Sequence, residues 1–153
     1  MIAKASKGLL GAIAALALGA GPVLAAGAAD VVRARINGFR ELGASYKSVN
    51  DELRGGTPQP IVLQAAARQI RNTSSQMAGW FPAGSGPQAG VKTKALPAIW
   101  RDAAGFKAAQ DAFARQSNAF NAAVASKNVN QIRATAKALG GTCASCHKQF
   151  RAD

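Results

Sequence analysis

Both cysteines of this 153-residue chain and its single histidine fall within five consecutive residues, Cys143-Ala144-Ser145-Cys146-His147, close to the C-terminus. No other feature constrains the fold as strongly. On a helix, residues 143 and 147 stand four apart and share a face, and Cys146 lies close to that face. The cluster therefore asks for a terminal helix that presents two thiols and an imidazole along one short stretch.

Cys-x-x-Cys-His is the attachment sequence for c-type haem. Two thiols add to the two vinyl groups of the porphyrin, and the adjacent imidazole meets the iron from one side. The rival readings explain less. A dithiol redox pair usually opens a helix that follows a strand, whereas this pair sits at the end of a helical pattern. A structural zinc site needs four ligands, and the cluster supplies three with no further Cys or His in the chain. A plain disulfide leaves His147 unexplained. We read one haem c per chain, attached through Cys143 and Cys146, with His147 as the metal ligand.

The other end of the chain is an export signal. Lys4 and Lys7 precede an apolar run from about Gly8 to Ala20, then Gly21-Pro22 and the small-residue stretch Val23-Leu24-Ala25. That is the layout of a secretory signal peptide cleaved after Ala25, and the run is short for a membrane span of about 20 apolar residues. The expected organisation is a signal peptide at 1–25 and a haem-binding domain at 26–153, located in the periplasm without a stable membrane anchor. Export suits the motif, because c-type haem is attached after translocation.

Four segments of the mature chain carry helical periodicity. Val32, Ile36, Phe39, Leu42, Tyr46, Val49 and Leu53 recur at spacings of three and four, as do Leu63, Ala66, Ile70, Thr73, Met77 and Trp80. Ile99, Phe106, Phe113 and Phe120 recur every seven residues, and Val129, Ile132, Ala136, Leu139, Cys143, Cys146 and Phe150 return to three and four. A seven-residue repeat implies neighbours packed at a shallow angle. No stretch shows a convincing period of two. The spacing predicts an all-α antiparallel four-helix bundle with helices at about 28–54, 59–80, 97–126 and 128–151. The link from 81 to 96 is long for a bundle, so it is either a crossover or a loop packed over one end.

Charge narrows the partners. The chain has 19 Lys and Arg against 7 Asp and Glu; without the two lysines of the leader, 17 against 7 remain, a net of +10. A basic surface favours anionic partners such as an acidic redox protein. The basic residues are scattered with no run of three, and aromatics are few, so neither a basic stripe nor a stacking platform for nucleic acid is present.

With a signal peptide, a four-helix bundle and Cys-x-x-Cys-His near its C-terminus, the mature chain resembles the cytochrome c prime family. "CASCHKQFR" is close to that family's ending, with Phe150 where Tyr is common and Arg151 where a basic residue usually stands beside the proximal imidazole. "WFPAGSG…LPAIWRDAAGF" resembles the family's second loop and third helix, and "ARINGFREL" its distal segment. The resemblance implies that Arg35 pairs with a haem propionate, although the next position, usually Gln, is Ile36. It also implies electron carriage, NO binding in members with five-coordinate iron, and homodimers through the first two helices. Gly38 and Gly43 would permit close approach there, or to the haem. Gly140-Gly141 would permit close packing against the haem edge, in which case Gly140→Leu should reduce haem incorporation.

The sixth iron position decides between two readings. There is no second His, and Met77 is the methionine left after the leader is removed. In Met-ligated members of the family the ligand comes from near the position of Phe39, and Phe cannot bind iron. The expectation is five-coordinate iron with Phe39 as an apolar cover, open to NO and CO. The alternative is a six-coordinate electron carrier with Met77 as sixth ligand. An enzyme is not expected, because the single His is used by the iron and no acid–base group is identifiable near the distal face.

Overall fold

The computed structural model describes residues 21–153. The leader reading concerns 1–25, of which 1–20 lie outside the described residues. The helices are α1 (Gly21–Arg54), α2 (Pro60–Gln76), a short α3 (Ala98–Arg101), α4 (Ala103–Ser126) and α5 (Val129–Phe150). Among the described residues no helix is long and apolar enough to cross a membrane.

Local chemistry fixes the boundaries. Gly55 and Gly56 follow α1, and Pro60 opens α2 at a position where its missing N–H would have had no partner. Asp102 breaks the predicted third helix: its side chain accepts a hydrogen bond from the Gly105 N–H at 2.9 Å, capping α4 and leaving α3 as a separate turn. Asn128 caps α5 in the same way, accepting from the Asn130 and Gln131 N–H groups, both at 3.1 Å. The predicted second helix stops at Gln76, and Met77–Trp80 continue as a 3-10 turn.

α1, α2, α4 and α5 form the antiparallel four-helix bundle. α1 packs on α2, α2 on α4 and α4 on α5, while α1 and α5 touch least of the neighbouring pairs. The seven-residue stripe is buried at all four positions, Ile99, Phe106, Phe113 and Phe120. It divides between two apolar clusters. Phe113 and Phe120 belong to the main core with Leu42, Val49, Ile70 and Leu139. Ile99 and Phe106 join Phe150 in a second cluster at the end that holds the Cys-x-x-Cys-His sequence.

One polar group is out of place in this core. Ser117 is fully buried on α4 and its hydroxyl has no hydrogen-bond partner. A buried unpaired hydroxyl costs about 1–3 kcal/mol. Ser117→Ala is therefore expected to stabilise the protein by about 1 kcal/mol, seen as a melting temperature a few degrees higher; an unchanged or lower value would mean the hydroxyl has a partner.

The link from 81 to 97 is a loop packed over the motif end. Its last residues lie beside the C-terminus: the Leu96 N–H donates to the Phe150 carbonyl at 3.0 Å and the Ala152 N–H to the Lys94 carbonyl at 2.8 Å. Ala95 and Arg151 thus face each other as an isolated antiparallel bridge. The end of α5 is tied to the loop immediately beyond His147.

Candidate functional site

The helical register of α5 places the two thiols against different parts of the interior. Cys143 is half-buried against the main core, as are Tyr46, Trp80 and Phe81. Cys146 is half-buried on the second cluster of Ile99, Phe106 and Phe150. Phe81 packs against both clusters and so joins them. His147 is exposed and lines an open depression of about 640 Å³ with Leu96, Ala144, Lys148, Arg151 and Asp153. Its Nδ1 lies 3.3 Å from Arg151 Nη1.

The electrostatics suit attachment of a large group rather than thiol redox chemistry. Burial pushes the Cys143 thiol up, with a smaller push from Cys146, and burial pushes Cys146 up too. Dithiol oxidoreductases depend on the opposite, a depressed thiol. Burial and then the Arg151 charge push His147 down, which favours the neutral imidazole that a metal requires. Among the described residues no three His, Cys, Asp or Glu side chains are grouped as a bare metal ion would need. Two thioethers to the porphyrin and one imidazole to the iron would address separate atoms of a haem, so haem does not ask for that convergence.

α1 and α5 make few contacts with each other. Their hydrogen bonds all fall in the half away from the motif: Arg133 donates to the Leu53 carbonyl, and the Tyr46 hydroxyl to the Ala136 carbonyl at 3.0 Å. Gly140 also lies against Tyr46. A Cβ there would stand 3.0 Å from Tyr46 Cζ and closer to its hydroxyl, so its lack of a side chain serves the Tyr46 contact. Gly140→Ala is expected to destabilise by about 1 kcal/mol, because crowding of about 1–3 kcal/mol exceeds the helix gain of about 1 kcal/mol. In a Tyr46→Phe background the same change should become neutral or stabilising, as thermal unfolding of the four proteins would show. Gly38 is likewise filled, its would-be Cβ 2.7 Å from Trp80 Cζ2, while Gly43 and Gly141 face open space.

Phe39 and Met77 occupy contrasting surroundings. Phe39 is 36% exposed, with its ring edge-on to Trp80 at 5.1 Å and tilted against Phe81 at 6.1 Å. From there an aromatic row runs through Phe106 to Phe150, at 4.7 and then 5.1 Å. Met77 is buried in the main core.

Arg35 is buried, 2% exposed, and bonded to the loop. Nη1 donates to the Trp80 carbonyl and Ser85 Oγ, both at 3.2 Å; Nη2 donates to the Ser85 carbonyl at 2.9 Å and Thr93 Oγ1 at 3.2 Å. The guanidinium also stands over the Phe81 ring at 4.6 Å. Four of its five N–H groups are thus taken by neutral acceptors, which leaves Nε for the propionate that the sequence led us to expect. Ser85, Thr93 and Trp100 had no assigned role in the sequence. A buried arginine facing a Gly- and Pro-rich loop would have been their signal, and it needs the long-range fold to be seen.

The family model described as Cytochrome C' matches residues 30–151. The chain is 44% identical over 122 residues to cytochrome c' of Rubrivivax gelatinosus, covering 80% of this chain and 94% of that one. The crystal structure of cytochrome c' from the same organism superposes with a TM-score of 0.76 at 30% identity, covering 82% and 97% of the two chains. A structure described as the nitric oxide complex of a mutant of cytochrome c prime from Alcaligenes xylosoxidans gives a TM-score of 0.74 at 24% identity, covering 82% and 96%. A family model spanning the folded domain, the shared fold and the Cys-x-x-Cys-His sequence lead to one conclusion: the chain belongs to the cytochrome c' family, whose proteins carry covalently attached haem c.

Proposed function

We propose that this chain is an exported, periplasmic cytochrome in which Cys143 and Cys146 hold the haem as thioethers and His147 is the one protein ligand to iron. Bound haem supplies a ferric–ferrous couple and an open coordination position. Phe39 covers that position, excluding water and anions, which would have to be desolvated, while admitting small neutral gases such as NO and CO. A related protein described with nitric oxide bound supports the choice of ligand.

The observation that carries this reading is the contrast between Phe39 and Met77. Three large apolar side chains are exposed among the described residues. Ile61 and Val129 lie at the far end, where α2 and α5 begin; Phe39 lies at the motif end, where an apolar cofactor would cover it. Met77 is held in the core, and its carbonyl accepts from Gln110 Nε2 at 3.3 Å. A Met77-ligated iron would require that packing to be dismantled.

Single-electron transfer belongs to the same reading, with no catalytic residue. Lys148 and Arg151 border the depression around His147, and an acidic redox partner would be steered towards them. A homodimer through α1 and α2 would use Gly43, which faces open space. The visible spectrum of the holoprotein tests the reading. A high-spin spectrum that changes on adding CO is expected; a low-spin spectrum with a sulfur-to-iron band, indifferent to CO, would assign Met77 to the iron instead.

A further inference from the structure

We infer that Arg35 acts on the proximal side of the haem, as a positioning residue that holds Arg151 beside His147 through the 81–96 loop. The inference rests on His147 being the iron ligand. Arg35 belongs to α1, the helix that carries Phe39, and its bonds do not end on α1. Its Nη2 donates to Thr93 Oγ1, and that hydroxyl oxygen also accepts the Ala95 N–H at 3.2 Å. Ala95 is the residue bridged to Arg151, flanked by the Leu96–Phe150 and Ala152–Lys94 hydrogen bonds. Arg151 in turn stands 3.3 Å from His147 Nδ1. Each link from Arg35 to the imidazole is a direct contact.

The chemistry at the last link makes position matter. A guanidinium has donors and no acceptor. With iron on Nε2, a neutral imidazole keeps its proton on Nδ1, and Arg151 cannot receive it. Arg151 then acts as a nearby positive charge that withdraws electron density from the imidazole and favours ferrous iron. Such an effect falls with distance, so whatever fixes Arg151 sets its size. Arg151 is itself exposed, and the bridge to Ala95 fixes its backbone. The bridge depends on the loop, and the loop is clasped by a buried cation whose neutral acceptors are all loop groups or the Trp80 carbonyl just before them.

Thr93→Val separates this role from any bond between Arg35 and a propionate, because it removes the hydroxyl link and leaves Arg35 in place. Two measurements on the full-length holoprotein test it. Amide hydrogen exchange at Leu96 and Ala152 should become roughly two- to tenfold faster in Thr93→Val, the range that loss of one net hydrogen bond allows. The ferrous iron–histidine stretch by resonance Raman should rise and the reduction potential should fall in Thr93→Val, Arg35→Met and Arg151→Gln alike. Thr93→Val should add nothing in the Arg151→Gln background. Unchanged exchange and an unchanged stretch in Thr93→Val would overturn the inference. So would a potential that moves in Arg35→Met alone, since Arg35 would then act through a propionate. If Arg35→Met fails to fold, Thr93→Val alone decides. Absence of an iron–histidine stretch in the unsubstituted protein would overturn the ligation reading, whereas the exchange measurement tests the clasp independently of it.

Discussion

Serine at both Cys143 and Cys146 is expected to abolish covalent haem attachment. The thiol adds its sulfur to a vinyl carbon and its hydrogen to the other; a hydroxyl is far too poor a nucleophile to replace it. Both thiols are free and half-buried against the two apolar clusters that Phe81 joins. Each single variant should keep one thioether, so its haem should survive denaturation, while the double variant should lose all haem on a denaturing gel stained for haem peroxidase activity. Haem that stays bound to the denatured double variant would refute the assignment. Stability should fall as well. A group that binds the folded state alone stabilises it, and a haem lying against Phe39 would cover that 36% exposed ring. The double variant should therefore melt at a lower temperature than either single one.

The helices were legible because apolar spacing and burial are the same fact in a bundle. Every residue of the second and third stripes is at least half-buried, and the exceptions elsewhere are instructive. Phe39 and Val129 fit the helical spacing yet are exposed. Val129 is the first residue of α5, where the stripe runs out past the end of the bundle. Phe39 lies at the motif end, against Trp80 and Phe81. Asp102 was not legible as a break, because a cap needs the chain to turn before it and apolar period alone runs straight through. The candidate ligands were legible because they are contiguous in sequence. The clasp was not: Arg35 meets Ser85 and Thr93 across 50 and 58 residues, and a spacing rule carries no information at that range. Close approach at Gly140 was legible, and Tyr46 is the protein side chain that makes it.

On the reading proposed above, these contacts would give the two sides of a bound iron different kinds of support. Just beyond His147, a bridge of backbone hydrogen bonds fixes the backbone of Arg151, whose exposed side chain stands 3.3 Å from the imidazole. On the side assigned to Phe39, the cover is a single side chain resting on the edges of Trp80 and Phe81. A ring can swing away without breaking a backbone bond. That asymmetry is what an iron protein needs if it is to hold one ligand permanently and admit another transiently.

Phe39→Ala is accordingly expected to speed the binding of CO and NO to the ferrous protein by roughly ten- to a hundredfold. To open, the ring must leave Trp80 and Phe81. An aromatic pair contributes about 0.5–1.5 kcal/mol beyond its buried area, so two pairs impose a barrier of about 1–3 kcal/mol, and each ~1.4 kcal/mol is a factor of ten in rate. Removing the ring removes that term, while His147, Cys143 and Cys146 stay in place. Flash photolysis of the CO complex measures the rate directly. Phe39→Leu should fall between the two, since it keeps an apolar cover and loses the edge-on contacts. Met77→Leu is the control: it should leave both rate and spectrum unchanged, because a core methionine exchanged for leucine of similar volume has no connection to the iron. If instead Met77→Leu speeds CO binding and Phe39→Ala does not, the barrier is a sulfur–iron bond, and the protein is a six-coordinate electron carrier.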